Sequence, residues 1–266
     1  MKTNKLYNGD CLSVLPNITD NFIDGVITSP PYNMGHNPLH FKQDKSNRHK
    51  LYETFIDDMS NTQYINFTLN VFKQYDRIIK EKGVVLYNLS YSSKNAILPM
   101  LVINEIHNNT NFTLRDTIVW KKNTAFPFQT SPHNLSRICE FVYVFGRKDI
   151  TYTTNKPVTK INERTQQKFY GYMDNFIEAK NNDRVKLDNN IKHNATYSVE
   201  LVMKLIDMYF PEGSIILDNF SGIGTTAVGC INTDRDYIGI EIDKNYHDFA
   251  VERVNELDKD NNNNFF

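Results

Sequence analysis

Asp218-Asn219-Phe220-Ser221-Gly222-Ile223-Gly224-Thr225-Thr226 stands between a short apolar run, Ile215–Leu217, and a segment of helical character that begins near Thr225. A glycine-rich stretch carries meaning in that context, between a strand and a helix. Its glycines let the backbone turn tightly and approach a ligand closely. The helix start adds unpaired N–H groups and a partial positive charge that suit an anion. The next strand-like run, Tyr237–Ile242, contains Glu241, 23 residues beyond Asp218. That spacing suits a carboxylate accepting hydrogen bonds from ribose hydroxyls. A nicotinamide-binding loop would read GxGxxG, and here Ala227 occupies the third glycine position. Taken alone, the stretch also fits a plain strand-to-helix turn.

Outward from this loop, strands and helices alternate. Residues 24–28 (DGVIT) read as a buried strand that breaks into Ser29-Pro30-Pro31-Tyr32, because two prolines can neither continue a strand nor enter a helix interior. Apolar spacing predicts a helix over 61–80, with Gly83 at its C-cap and a strand over Val84–Leu89. Residues 95–107 read as a helix; Thr117–Trp120 and Ile138–Phe145 read as strands. Ser198 caps a helix over 198–210, which Pro211 and Gly213 break, and 245–257 closes the chain as a helix. Such alternation predicts a mostly parallel α/β sheet covered on both faces. Two stretches stand apart. Residues 33–50 are polar, with Lys42, Lys45, Arg48 and Lys50 against Asp44 alone. Residues 151–192 carry eight Lys or Arg against five Asp or Glu and few apolar residues, and read as an insertion outside the main core.

The whole chain has 266 residues, 40% apolar and 23% charged, with a formal net charge of −1. That charge argues against a protein held on nucleic acid by bulk charge alone and leaves a local basic face open. Cys11, Cys139 and Cys230 are far apart, so neither a disulfide framework nor a metal site is expected. There is no apolar run of about 18 residues, and the N-terminus lacks the apolar stretch of a signal peptide. The expected location is the cytoplasm. The terminal NNNNFF reads as a frayed end.

The rigid Pro-Pro turn holds backbone carbonyls and Ser29 as hydrogen-bond acceptors. An exocyclic amino group needs such acceptors, because its lone pair is delocalised into the ring until both protons are held. Tyr32 offers a flat face on which an extruded base could stack. No cysteine follows a proline as a covalent cytosine-C5 nucleophile would. Taken alone, a PPY tripeptide also fits an ordinary turn; as a catalytic loop it indicates direct transfer, catalysed by positioning and electrostatics.

These residues resemble a known family. Thr28–Tyr32 (TSPPY) looks like the catalytic motif of amino-DNA methyltransferases, and residues 218–226 look like their S-adenosylmethionine loop. The catalytic motif comes first and the cofactor loop last, an order that resembles the β class. Asn8-Gly9-Asp10-Cys11, residues 77–83, Ile118–Asn123 with Cys139-Glu140-Phe141, His193–Tyr197 and Tyr237–Glu241 match further family segments in the same order. The resemblance implies a seven-stranded, Rossmann-like sheet with permuted motif order. Residues 1–150 would be its catalytic part, 151–192 a target-recognition insertion, and 193–266 the cofactor-binding part. S-adenosylmethionine would be held by Asp10, Cys11, Ala195, Thr196, Asp218, Phe220, Ser221, Gly222, Gly224, Thr225, Thr226, Glu241 and Ile242. Catalysis would fall to Ser29, Pro30, Pro31 and Tyr32. Trp120 is read as core and His193 as structural, while Lys121 and Lys122 are open between solvent and cleft.

The partner implied is duplex DNA with a flipped base, contacted through residues 40–50 and 151–192, in a restriction-modification setting. A homodimer is expected from the resemblance alone. Serine at the head of the motif favours cytosine N4, with adenine N6 the alternative. An RNA amino-methyltransferase and a non-catalytic nucleic-acid-binding subunit are further readings, while a protein-glutamine methyltransferase would have asparagine in place of Ser29 and its cofactor loop upstream. Ser198 stands where family members often have proline, which bears on the local turn.

Overall fold

The computed structural model describes residues 1–33, 59–91, 95–125, 130, 132–181, 183 and 197–263. The strands are β1 (Lys5–Asn8), β2 (Ile23–Thr28), β3 (Ile79–Asn88), β4 (Phe112–Lys122), β5 (Cys139–Arg147), β6 (Val158–Ile161), β7 (Lys168–Tyr170), β8 (Phe176–Ala179), β9 (Ile215–Asp218) and β10 (Asp236–Glu241). The helices are α1 (Cys11–Val14), α2 (Asn61–Ile78), α3 (Leu98–Asn109), α4 (Val199–Tyr209), α5 (Thr225–Ile231) and α6 (Lys244–Asn263).

Eight of these strands form one sheet in the order β1-β10-β9-β2-β3-β5-β4-β8. Neighbours run parallel except that β5 is antiparallel to both β3 and β4. One core lies on each face. Tyr64, Phe72 and Tyr75 of α2 and Val102 of α3 pack on one side; Leu201 and Leu205 of α4, Ala227 of α5 and Ala250 of α6 pack on the other. The chain leaves β2 toward β3 and leaves β9 toward β10, in opposite directions along the sheet. β2 and β9 are themselves neighbours, so the strand order reverses between them, the point beyond whose carboxyl ends such sheets bind their ligands.

Three expectations change. The sheet of seven strands gains an eighth, β8, paired with β4 from Val119↔Phe176 to Lys122↔Ala179. The segment 151–192 is therefore not wholly outside the core. Ile177 and Ala179 alternate inward, and the Trp120 indole donates to the Ala179 carbonyl at 3.2 Å. The β6–β7 hairpin does stand outside it, with every strand residue exposed. Finally, α2 ends at Ile78 and Gly83 lies inside β3, not at a C-cap. The carbonyls of Arg77 and Ile78 are taken by the backbone N–H groups of Asn21 and Phe22, so the helix end needs no glycine turn. Gly83 instead passes so close to the Asp24 carbonyl and the Ile79 side chain that a Cβ would overlap them.

Candidate active site

Thr28 and Asp218 close the two central strands, whose register pairs Val26 with Leu217. The Asp218 carboxylate is 2% exposed and gathers four donors. Oδ1 accepts from the Thr28 hydroxyl at 2.7 Å and from the Phe220 N–H at 3.1 Å. Oδ2 accepts from the Tyr197 phenol at 3.0 Å and from the Thr226 hydroxyl at 2.5 Å. Burial raises the Asp218 pKa, and these donors pull it back toward the ionised form. Tyr197 is pushed well above the usual phenol range by burial and by the Asp218 charge, so it stays a donor. The side chain expected to meet the cofactor thus faces inward. It binds the end of β2, the start of α5 and the residue before the α4 cap into one unit.

The glycine loop turns with Gly222 at φ 51° and Gly224 at φ 78°, the left-handed region that favours glycine. The Gly222 N–H donates to Glu241 Oε2 at 2.7 Å and the Asp243 N–H to Oε1 at 2.9 Å. Each oxygen keeps acceptor capacity for another donor. Burial raises the Glu241 pKa. Ile242, next in the chain, is 40% exposed. Phe220 is half-buried against Phe67, Thr225 and Ser221 are buried, and the Ser221 hydroxyl has no hydrogen-bond partner.

β1 lies beside β10, with Asn8 opposite Glu241, and this brings Asp10 to the same edge. Asp10 caps α1, accepting from the Ser13 N–H at 3.1 Å and the Ser13 hydroxyl at 3.0 Å through Oδ2. Cys11 is a core residue, its thiol pushed up to about 12 by burial and then by the Asp10 charge. Ala195 and Thr196, like His193 and the basic loop 40–50, lie outside the described residues.

At the SPPY loop, Ser29 Oγ and Tyr32 Oη are 3.0 Å apart. The Tyr32 phenol donates to Asn88 Oδ1 at 2.5 Å and lies 3.4 Å from Glu140 Oε2. Lys122 pairs with Glu140 Oε1 at 2.9 Å, its side chain 2% exposed, which resolves its position toward the interior. The Lys121 side chain is 44% exposed and pairs with Glu178 at 2.6 Å. Tyr64 of α2 fastens the loop by donating to the Pro31 carbonyl at 2.7 Å. Pro30 is buried. Sequence reasoning missed Asn88, Tyr64 and the Lys122–Glu140 pair as parts of this site. Their only signal is the register that sets Trp120 opposite Glu140 and brings the ends of β3, β4 and β5 to the loop.

Among the described residues, no group of three His, Cys, Asp or Glu could hold a metal ion, and no helix is long and apolar enough to cross a membrane.

A family model described as DNA methylase matches residues 23–252. The type II methyltransferase M.BglII of Bacillus subtilis is 28% identical over 287 residues, covering 98% of this chain and 71% of the relative. M.Cfr9I of Citrobacter freundii, also a type II methyltransferase, is 26% identical over 290 residues, covering 94% and 87%. Among solved structures, PvuII DNA methyltransferase (cytosine-N4-specific) shares the fold with a TM-score of 0.72 at 16% identity, covering 94% of this chain and 86% of that one. The M1.HpyAVI–SAM complex does so with a TM-score of 0.63 at 22% identity, covering 94% and 98%.

Proposed function

The chain belongs to the DNA methylase family, and we propose that it transfers a methyl group from S-adenosylmethionine to an exocyclic amino group in duplex DNA, cytosine N4 by preference. The observation that carries this reading is the side-by-side arrangement of the SPPY loop and the glycine loop, tied by the Thr28–Asp218 hydrogen bond. Serine at the head of the motif supports cytosine over adenine. The type II relatives support a restriction-modification role.

The residues present fit the cofactor. Glu241 offers a carboxylate with spare acceptor capacity for ribose hydroxyls, and exposed Ile242 offers an apolar surface for a flat base. The unpartnered Ser221 hydroxyl is a further polar group of the cradle. When bound, S-adenosylmethionine supplies an electrophilic methyl group. Asp10 and the loop 220–226 complete the cradle in this reading, while Asp218 and Thr226 hold it in shape. Ala195 and Thr196 are assigned to it by resemblance.

Ser29 and the Pro30 carbonyl would accept the amino protons of the target base and direct its lone pair. The Tyr32 ring would carry the flipped base, its hydroxyl anchored so that the ring keeps one orientation. Exclusion of water and fixed acceptors would perform the catalysis, with no covalent step on the protein. Recognition would fall to the 151–192 insertion. Its β6–β7 hairpin carries Lys160, Arg164 and Lys168, all exposed, a composition suited to phosphate contacts.

The test is nucleoside analysis after incubation of unmethylated DNA with labelled S-adenosylmethionine. Label in N4-methylcytosine supports the whole reading. Label in N6-methyladenine keeps the mechanism and reverses the base. No label in DNA, with cofactor bound, means that DNA is the wrong substrate or lacks the recognition site, and RNA is tested next.

A further inference from the structure

The hydrogen bonds around the SPPY loop have a direction. Asn88 Oδ1 can only accept, so its 2.5 Å contact uses the single proton of the Tyr32 phenol. Ser29, 3.0 Å from that phenol, is then its donor. A hydroxyl whose proton is committed presents lone pairs to anything else, which sets Ser29 as an acceptor. Glu140 accepts only and is held by Lys122. The chain of donors thus runs from Ser29 through Tyr32 to Asn88.

The other half of the Asn88 amide stands outside this chain. Nδ2 is buried and has no hydrogen-bond partner, in a residue 4% exposed. A buried N–H group left unpaired is destabilising and rare. Asn88 ends β3, directly beside β2, where Tyr87 pairs with Thr28. An unused donor therefore sits at the same strand edge as the acceptor Ser29.

We propose that Asn88 contacts the substrate: its Nδ2–H donates to the ring nitrogen next to the exocyclic amino group while Ser29 accepts an amino proton. This rests on the base-methylation reading above. Cytosine and adenine both present an amino donor beside a ring-nitrogen acceptor. Thymine and guanine present the reverse, a carbonyl acceptor beside a ring N–H. An acceptor from Ser29 and a donor from Asn88 complement the first pair and repel the second, so Asn88 selects the class of base as well as orienting it.

The experiment uses the full chain and duplexes carrying either the natural target base or 3-deazacytosine (1-deazaadenine if adenine is the base labelled). Each analogue keeps the amino group and lacks the ring acceptor. Single-turnover methylation and duplex affinity are measured for the wild type, Asn88→Asp and Asn88→Ala. Asn88→Asp retains an oxygen for Tyr32 and loses the donor. The analogue is expected to slow the wild type about tenfold, equivalent to about 1.4 kcal/mol. Asn88→Asp should lose a similar factor on natural DNA and nothing further on the analogue. Asn88→Ala repeats the comparison should the aspartate variant unfold. Factors that multiply, or a variant as fast as the wild type, overturn the role of Asn88 alone. A wild type that labels no DNA overturns the methylation reading and this inference with it.

Discussion

Thr28 donates its hydroxyl to the Asp218 carboxylate at 2.7 Å across 190 residues of chain, joining the strand that ends in SPPY to the strand that ends in the glycine loop. The bond is buried, so it is short of any water that could replace it. Thr28→Val keeps the shape and removes the donor. Because Asp218 retains three other donors, the expected loss is about 1–2 kcal/mol, read from urea unfolding. Thr28→Ser should retain most of the stability. Equal unfolding midpoints for the wild type and Thr28→Val would show that the bond does not hold the two strands together.

Glu241 and Ser29 should separate binding from chemistry. Glu241→Gln sets an amide N–H against a backbone donor and removes the charge, so S-adenosylhomocysteine binding should weaken about tenfold or more in calorimetry. Ser29→Ala should leave that affinity within about twofold and slow single turnover instead. Equal effects of both variants on affinity would contradict the assigned roles.

Burial raises the Glu241 pKa, and this gives a pH signature. A carboxyl raised in the folded state stabilises below its unfolded pKa, and that contribution is lost as pH rises through the folded pKa. Unfolding midpoints measured from about pH 4 upward should therefore move in favour of Glu241→Gln as pH rises. Hydroxyl donors prefer the ionised form, so S-adenosylhomocysteine affinity should rise with pH over the same window in the wild type and stay flat in Glu241→Gln. A flat wild-type profile would mean that this carboxylate does not meet the ligand.

Lys122 is buried with Glu140 as its ion-pair partner. Lys122→Met leaves Glu140 with its charge uncompensated and should cost about 3 kcal/mol. Combining it with Glu140→Leu should recover most of that in a double-mutant cycle. Independent, additive losses would show that the pair is not coupled.

Lys160, Arg164 and Lys168 on the exposed hairpin should act through phosphate contacts. Replacing all three with Gln should lower the slope of log affinity against log salt by up to about 2.7, at about 0.9 per contact. Thermal stability should not change, since the side chains are exposed. An unchanged slope would move the DNA surface elsewhere on the molecule.

Much of this site was legible in the chain because its signals are local. The prolines of 29–32, the glycines of 222 and 224 and the carboxylate at 241 constrain the backbone within a few residues, and alternating apolar periods announce the layers between them. Those features alone determined the α/β class, the order of the two loops and the residues of the SPPY motif. Tertiary structure decided which strands are neighbours, and with that the direction in which several side chains point. Asp218 turns inward because Thr28, Tyr197 and Thr226 converge on it, and Asn88 and Glu140 reach the SPPY loop through the register of β3, β4 and β5. β8 joins the sheet because Ile177 and Ala179 find a core that their own polar segment lacks. Register is set by the burial of whole faces at once, so contacts between distant residues are written in no short stretch of sequence.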